Sequence, residues 1–282
     1  MTRQKGVWSS SGNLLRAGVL FLALGAGPVE ANDPATQKPF AWPGGAKAAV
    51  SLTYDDAVPV HYQKVGPLLS KHGLGATFYL TVQYLESPRE WRKLSKRGHE
   101  LGNHTLFHAC RQDPEQRYTW LDDHYDLQDY SEGRLRDELA VTNKVIDLID
   151  GGEPRTYGNT CNHVTIGKGD EERSMEPVLR ELFVASRGEI ASRVITPGNL
   201  DFHQLGHFKA DGKSFEELKP HIDSAIEKGG WVIFMVHGVG EGNHPFYMED
   251  AEHAKLVEWL GKNKESVWTA PVVDVATHLK RR

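Results

Sequence analysis

The stretch Ala48-Ala-Val-Ser-Leu-Thr-Tyr-Asp-Asp56 decides the fold. Its apolar first part predicts a strand over Ala48–Thr53, and two adjacent carboxylates, Asp55 and Asp56, follow it closely. Similar short apolar runs alternate with longer amphipathic stretches along the rest of the chain. This rhythm of strand, helix and strand is typical of a parallel sheet, either a barrel or an open sheet, whose functional groups lie at the C-terminal ends of the strands.

The predicted elements cover much of the chain beyond the Pro- and Gly-rich lead-in of residues 32–46. The predicted strands are Ala48–Thr53, Ala76–Leu80, Glu100–Asn103, Leu182–Ala185, Trp231–His237 and Val267–Thr269. The predicted helices are Val60–His72, Pro88–Arg97, Ser131–Ile149, Ser214–Lys228 and Ala251–Lys262.

Polar side chains follow three of these strands, and a parallel barrel would bring them together. Asp55 and Asp56 follow the first strand, His104 follows the third, and His237 ends the strand that begins at Trp231. One Asp and two His can form a three-ligand metal site that leaves a position open for water. A second Asp beside the ion can then act as a base. The alternative is a solvated loop or a helix N-cap, in which adjacent acids are common.

The two histidines of His104-Thr-Leu-Phe-His108 are spaced i, i+4, which predicts that both lie on one face of a helical turn. His203 and His207 share this spacing, so in a chain with fourteen histidines the spacing alone is weak evidence. The first pair is favoured because it follows a short strand and a Gly-Asn turn.

His237 is followed by Gly238-Val-Gly240, a loop that would let a substrate approach closely. A histidine in that position can act as a general acid. The alternatives are that His237 is a packed core residue, or that His244, seven residues further on, supplies the acid.

The N-terminus predicts a secretion signal over residues 1–31. Basic residues precede the apolar run Ala17–Ala26, and Val29-Glu-Ala31 resembles a signal-peptidase cleavage site. The run is shorter than the ~20 residues that span a bilayer, although a retained N-terminal anchor stays open as an alternative. Residues 32–282 are then expected to form one domain, secreted or periplasmic, without stable membrane insertion.

The charge distribution argues against a polyanionic partner. The formal net charge is −5, and Lys and Arg do not cluster, so we expect no nucleic-acid binding. Cys110 and Cys161 are the only cysteines.

Three segments resemble the motifs of the polysaccharide deacetylases, the family 4 carbohydrate esterases with a NodB-like domain. Thr53-Tyr-Asp-Asp56 is similar to the family's T-F-D-D motif, His104-Thr-Leu-Phe-His108 to H-[S/T]-x-x-H, and Met235-Val-His237 to L-x-H. The resemblance spans residues 45–280. It implies an α/β fold, a distorted (β/α) barrel with about seven parallel strands rather than the usual eight.

The resemblance also implies a role for each matching residue. Asp55 resembles the general base, and Asp56, His104 and His108 resemble the ligands of a divalent ion, usually Zn²⁺. His237 resembles the general acid. An oxyanion would be held by the ion and by a backbone N–H group.

The third motif departs from the family pattern. The usual Arg-x-Pro-Tyr-Gly is absent near Gly158–Asn162, so Arg155 or Arg187 is expected to orient the base instead. The backbone N–H of Cys161 or of a neighbour would serve the oxyanion. Asp201 is the expected partner of the catalytic histidine. Cys110 and Cys161 follow segments that meet at the barrel mouth, so a disulfide between them is a further prediction.

The function expected from this resemblance is metal-dependent removal of acetyl groups from N- or O-acetylated poly- or oligosaccharides. Three alternatives remain: an acetylxylan-type esterase, a catalytically silent carbohydrate-binding relative, and a purely structural metal site. The last would usually close the fourth coordination position with a protein ligand.

Overall fold

Strand β1, Ala48–Tyr54, lies at the centre of a parallel sheet in the computed structural model, which describes residues 38–112, 118–188 and 192–281. All seven residues of β1 are buried. Its two hydroxyl side chains donate hydrogen bonds to backbone carbonyls, Ser51 Oγ to Ala270 at 2.8 Å and Thr53 Oγ1 to Phe234 at 2.9 Å. Strand β1, which carries both apolar and hydroxyl side chains, is therefore buried without leaving either of these two hydroxyl groups unpaired.

The other parallel strands are arranged around β1 in the order β7-β4-β3-β2-β1-β9-β8, and a further strand, β12, also pairs with β1. Their bounds are β2 Thr77–Leu80, β3 Glu100–Asn103, β4 Tyr157–Gly158, β7 Ser186–Arg187, β8 Phe208–Lys209, β9 Trp231–Val236 and β12 Val267–Thr269. A parallel bridge between Arg187 and Leu205 brings the segment before β8 back to β7, so the sheet curves towards closure. The predicted distorted barrel of about seven parallel strands is confirmed.

Two small strand pairs lie outside this sheet. An antiparallel pair joins β5 (Thr165–Ile166) to β6 (Arg173–Ser174), and a parallel pair joins β10 (Gly238–Val239) to β11 (Tyr247–Met248). The second pair fixes the loop that follows His237.

Helices pack around the sheet. They are α1 Gly66–Lys71, preceded by a π-helical turn at His61–Val65, α2 Pro88–Ser95, α3 Glu132–Asp150, α4 Glu176–Leu182, α5 Phe215–Lys228, α6 Asp250–Lys262 and α7 Val272–Lys280. The ends of α5 follow from its sequence: Ser214 and Glu217 form a capping box, and Gly229 ends the helix with φ 63°. None of the helices among the described residues is long and apolar enough to cross a membrane.

Most of the predicted elements lie within a few residues of their observed positions, but the prediction of a strand over Leu182–Ala185 is wrong. That apolar run is the end of α4 and the link to β7. Periodicity cannot distinguish a helix end from a strand in so short a run. Sequence patterns also miss α4, α7 and the two-residue strands β4, β7 and β8. The predicted signal peptide of residues 1–31 lies outside the described residues and stays a prediction.

One buried carboxylate joins three elements at the base of the barrel. Glu100 accepts hydrogen bonds from Thr77 Oγ1 at 2.6 Å, from the backbone and hydroxyl of Thr156 at 2.6 and 2.7 Å, and from the backbone N–H of Val273 at 3.0 Å. Burial raises the pKa of Glu100 in spite of these bonds. The residue ties β2 and β4 to the start of α7.

Candidate active site

The backbone turns sharply after β1 and sends two adjacent carboxylates in different directions. The Asp55 N–H still donates to Val236 O at 3.0 Å, which extends the pairing with β9. Asp56 and Ala57 then adopt left-handed conformations, with φ 76° and 57°. Such a conformation is unfavourable for alanine and uncommon for aspartate, and it tends to occur at functional sites.

Asp55 forms a buried ion pair with Arg187, at the end of β7. The guanidinium donates to both carboxylate oxygens, at 2.9 and 2.5 Å, and also to Thr53 Oγ1 at 2.7 Å. Burial alone would raise the pKa of Asp55, but the charge of Arg187 and its hydrogen bonds, with His104 and His237 nearby, lower it to about 2. Asp55 is therefore ionised at neutral pH.

Of the two arginines that were expected to orient Asp55, only Arg187 contacts it. Arg155 donates to Leu101 O at 2.9 Å and to Asp150 Oδ2 at 3.1 Å, and it also pairs with Asp147. It therefore links β3 to the end of α3, so Arg155 as an orienting residue for Asp55 is wrong.

The segment from His104 to His108 is a loop, and the predicted helical turn is wrong. Thr105 and His108 have φ 67° and 55°. Asn103 Oδ1 accepts a hydrogen bond from Thr105 N at 2.8 Å, and Thr105 Oγ1 accepts one from His108 N, also at 2.8 Å. These bonds from side chains to the backbone replace those of a helix.

The loop nevertheless brings both imidazoles to Asp56. His104 Nε2 and His108 Nε2 lie 3.3 and 3.1 Å from Asp56 Oδ1, and one possible ligand atom from each of the three residues lies within 4.8 Å of the other two. Asp56 Oδ1 is buried and has no hydrogen-bond partner among the described residues. A buried carboxylate oxygen that faces two ring nitrogens fits a cation bound among the three atoms.

The orientation of His104 supports this interpretation. Its Nδ1 lies 2.7 Å from Gly158 O, at the end of β4. A carbonyl oxygen only accepts hydrogen bonds, so Nδ1 carries the proton and Nε2 directs its lone pair towards Asp56. Histidines that bind metals are usually held by such a bond from the second ring nitrogen.

A disulfide between Cys110 and Cys161 joins the His108 loop to the loop after β4. The two Cα atoms are 5.8 Å apart, within the range that a disulfide requires. Thr160 Oγ1 adds a hydrogen bond to Ala109 O between the same loops. The predicted pairing is thus present in the structure, and it attaches the altered third motif to the loop that carries His108.

His237 lies beside Asp56 and is held by a carboxylate that sequence patterns did not reveal. Asp211, just after β8, accepts hydrogen bonds from His237 Nδ1 at 2.7 Å and from the His237 backbone N–H at 2.9 Å. Burial lowers the pKa of His237, but the bond to Asp211 and the charges of Asp55 and Asp211 more than offset burial and raise it. The Nε2 atom of His237 is 4.0 Å from Asp56 Oδ2.

Asp201, the carboxylate that was expected to pair with His237, is elsewhere. It lies 3.5 Å from the exposed Arg180 and caps the backbone N–H of His203 at 2.9 Å. The expected pairing is wrong because the match rested on one acid in a segment without periodicity. The useful signal, an acid after a strand, was hidden by the two-residue length of β8.

His244 lies against the other carboxylate oxygen of Asp56, the one that His104 and His108 do not face. Its Nε2 lies 3.3 Å from Asp56 Oδ2, and its ring stacks on that of His237 with centroids 4.9 Å apart and an angle of 4° between the planes. By contrast, His203 and His207 are buried and belong to no group of three possible metal ligands among the described residues. Burial is the main cause that lowers the pKa of His207, to about 3, so it is neutral.

Comparison with known proteins supports the motif assignment. The family model described as polysaccharide deacetylase matches residues 43–162. A gellan lyase from a Bacillus species is 23% identical over 267 residues, which cover 86% of this chain and 10% of the lyase. A peptidoglycan-N-acetylglucosamine deacetylase from Bacillus cereus is 25% identical over 138 residues, which cover 45% of this chain and 44% of that protein. The chain thus spans less than half the length of either relative.

Solved structures share the fold. A candidate polysaccharide deacetylase from Mycobacterium smegmatis aligns with a TM-score of 0.54 at 15% identity, over 87% of this chain and 94% of its own. A family 4 acetyl xylan esterase from Clostridium thermocellum, solved with a cobalt ion, aligns with a TM-score of 0.50 at 19% identity, over 81% of this chain and 90% of its own. Because the family model matches residues 43–162 and the relatives include a deacetylase, this part of the chain belongs to a polysaccharide deacetylase domain, and the resemblance that its motifs indicated is confirmed.

Proposed function

We propose that this protein is a metal-dependent hydrolase that removes acetyl groups from N- or O-acetylated carbohydrate. One observation carries the proposal: Asp56 Oδ1 faces two ring nitrogens, while the adjacent Asp55 is bound by Arg187 beside them, with its Oδ2 3.9 Å from His104 Nε2. A free carboxylate beside a three-ligand cluster is the arrangement that hydrolysis by metal-activated water requires.

The cluster fits a divalent cation, and we propose zinc. Two imidazole nitrogens and one carboxylate oxygen form a ligand set typical of catalytic zinc. The Clostridium esterase of the same fold is described in complex with cobalt. When bound, the cation would polarise the acetyl carbonyl and make a water molecule more acidic.

The proton transfers are assigned to the two residues that flank the cluster. Asp55 is ionised and would accept the proton of the attacking water. Its low pKa makes it a weak base by itself, so water must be made more acidic for the transfer to succeed. His237, protonated on Nδ1 towards Asp211, would donate a proton from Nε2 to the leaving nitrogen or oxygen.

Stabilisation of the oxyanion is assigned to the loop after β4. The backbone N–H of Cys161 or of a neighbour would donate to it, as in other acyl-transfer sites. The disulfide and the positive φ of Cys161 and Asn162, 51° and 59°, fix the loop beside the His108 loop. The contribution comes from the backbone and does not require the side chain that the family usually has there.

Two features support action outside the cytoplasm. The first 31 residues predict a secretion signal, and the disulfide between Cys110 and Cys161 is of a kind that persists in oxidising compartments. We therefore propose that the protein is secreted or periplasmic.

Among the alternatives, a structural metal site is the least consistent with the geometry. The Asp56 cluster comprises three residues and no fourth among those that the structure describes. A silent binding module would have no use for a carboxylate fixed beside the cluster by a buried arginine. An acetylxylan-type esterase would use the same residues, so the substrate must be found by assay.

The test is acetate release from three substrates: a β-1,4-linked N-acetylglucosamine hexamer, peptidoglycan and acetylated xylan. We expect release from at least one of them, loss of activity with a chelator, and recovery when Zn²⁺ is restored. Release that persists at full rate in the chelated protein would contradict the proposal. No release from any of the three by the zinc-loaded protein would favour the silent binding module.

A further inference from the structure

The disulfide between Cys110 and Cys161 lies directly against one of the three candidate metal ligands. Cys110 is fully buried, and its Sγ atom lies 3.6 Å from His108 Nδ1. The other nitrogen of the same ring, Nε2, lies 3.1 Å from Asp56 Oδ1. The imidazole of His108 therefore lies between the disulfide and the carboxylate of Asp56.

The contact with a disulfide sulfur indicates which ring nitrogen of His108 carries the proton. A disulfide sulfur has no hydrogen, so it can only accept a hydrogen bond, whereas an imidazole nitrogen can donate one. The separation of 3.6 Å suits such a bond, because sulfur is larger than oxygen. In the neutral ring, His108 Nδ1 then carries the proton, and Nε2 directs its lone pair towards Asp56 Oδ1.

His104 is held in the same form by the same part of the chain. Its Nδ1 donates to Gly158 O at 2.7 Å, and its Nε2 lies 3.3 Å from Asp56 Oδ1. Gly158 ends β4, and Cys161 follows in the next loop. The altered third motif therefore reaches the outer nitrogens of both histidines, of one through a carbonyl group and of the other through the disulfide.

The backbone of His108 also depends on its neighbours. Its φ is 55°, a left-handed conformation that is uncommon for residues other than glycine. On the N-terminal side, Thr105 Oγ1 accepts a hydrogen bond from His108 N at 2.8 Å. On the C-terminal side, the disulfide holds the chain at Cys110, two residues further on. Cys110 thus contacts the ring of His108 and also restrains the backbone that carries it.

We propose that the disulfide is part of the metal site and that Cys110 is a positioning residue, whose sulfur accepts a hydrogen bond from His108 Nδ1 and leaves Nε2 free to bind the ion. The inference rests on the proposed function, because it concerns the affinity for the proposed cation. Loss of the acceptor at the second nitrogen of a histidine ligand typically lowers metal affinity by ~10–100-fold. Sulfur is a weak acceptor, so we expect an effect at the lower end of this range.

The test must separate the sulfur from the cross-link, because the disulfide also joins two loops. Cys161→Ala breaks the disulfide and leaves the Cys110 sulfur in place as a thiol. The double variant Cys110→Ala/Cys161→Ala lacks the same cross-link and lacks the sulfur as well. Cys110→Ser/Cys161→Ala offers a hydroxyl oxygen as a replacement acceptor. The zinc dissociation constant of each protein is measured by competition with a chromogenic chelator, which does not depend on turnover.

We expect the double alanine variant to bind zinc about tenfold more weakly than Cys161→Ala, and the serine variant to recover part of this loss. Neither protein of the first pair has the cross-link, so the difference between them reports the sulfur alone. With Co²⁺ in place of zinc, the Cys161→Ala protein should show no thiolate-to-cobalt charge-transfer band, because Cys110 faces the ring nitrogen that does not bind the ion.

A measurement on the wild-type protein does not depend on whether the variants fold. In the zinc-loaded protein, NMR of the imidazole groups should show a proton on Nδ1 of both His104 and His108, each exchanging slowly with water. A His108 without a slowly exchanging Nδ1 proton overturns the inference. Equal zinc affinity in Cys161→Ala and the double alanine variant overturns it too, as does a thiolate-to-cobalt band in Cys161→Ala.

Failure of this inference is distinct from failure of the proposed function. A wild-type protein that binds zinc and releases acetate, while Cys161→Ala and the double alanine variant bind zinc equally, contradicts the role of Cys110 alone. A set of proteins that shows the expected difference in zinc affinity, but of which the wild type releases no acetate, supports the role of Cys110 and contradicts the deacetylase.

Discussion

Arg187 and Asp55 are 132 residues apart in the chain and form a buried, two-pronged ion pair at the barrel mouth. The arginine that pairs with Asp55 therefore comes from the end of β7 and not from the third motif. It also fixes the carboxylate of Asp55 beside the His104–His108 loop, with Oδ2 3.9 Å from His104 Nε2. The pH dependence of the proposed reaction should therefore respond to substitutions far from the motifs in sequence.

Arg187→Lys should move the acid limb of the kcat/KM profile to higher pH. Lysine keeps the positive charge but lacks the planar guanidinium group and its paired hydrogen bonds. The effect of burial on Asp55 is then less fully offset, so the pKa of Asp55 rises from about 2. Asp55 must be ionised to accept a proton, so activity should fail at a higher pH on acidification. Arg155→Lys is the control, because that arginine is also buried between carboxylates but does not contact Asp55. A shift of equal size in both variants would point to a general loss of stability.

Asp55→Asn and Asp56→Asn should separate chemistry from metal binding. Asp55→Asn should keep the ion and reduce turnover by the ~10²–10⁴-fold that a general base contributes. Asp56→Asn should lower metal affinity, since it removes a charged ligand. Metal content by atomic absorption and acetate release are measured on both proteins. Loss of metal from the Asp55→Asn protein only would reverse the two roles.

His237→Ala should slow hydrolysis of an acetylated amino sugar far more than that of an aryl acetate. An amine leaves poorly without a proton, whereas a phenolate leaves without help. Similar losses on both substrates would mean that His237 positions the substrate or supports the fold, and His244 would become the better candidate for the acid.

Asp211→Asn should lower the pKa of His237, because the acidic partner and its charge contribute to raising it. An acid must be protonated to act, so the alkaline limb of the profile should move to lower pH. Asp201→Asn is the matched control, since Asp201 pairs with Arg180 at the surface. An unchanged alkaline limb in the Asp211 variant would remove Asp211 from the mechanism.

Glu100→Gln should destabilise the fold, although it changes only one oxygen into an amide nitrogen. Both carboxylate oxygens of Glu100 accept hydrogen bonds. The amide nitrogen of glutamine would replace one of these oxygens, and it cannot accept a hydrogen bond from the N–H or hydroxyl group that faces it. A buried donor left without an acceptor costs about 1–3 kcal/mol. The free energy of unfolding in urea measures the loss. Glu258→Gln, on the exposed face of α6, should leave the midpoint unchanged.

Sequence patterns are sufficient to locate functional residues that lie at the ends of long strands. The runs that form β1 and β9 are six or more residues long, so their periodicity and apolar character alone place Asp55, Asp56 and His237 at strand ends. The resemblance to the deacetylases then supplies their expected roles.

The contacts that tune these residues could not be derived in the same way. Arg187 and Asp211 belong to or follow β7 and β8, which have two residues each and leave no periodic signal. The conformation of the His104 loop was missed for another reason. Asn103 and Thr105 bond to the backbone through their side chains, and spacing arguments ignore such bonds.

The position of the disulfide and of the family match divides the chain into two parts with different constraints. Residues 43–162 carry both carboxylates, both loop histidines and Cys161, whereas Arg187, Asp211, His237 and His244 all lie beyond them. The residues proposed to hold the ion therefore all lie in the matched part, whereas Arg187, which pairs with the base, and His237 and Asp211, which are proposed to supply the acid, come from later strands and loops. Substitutions in the later part can change the working pH or the leaving-group preference while the proposed ion ligands stay the same.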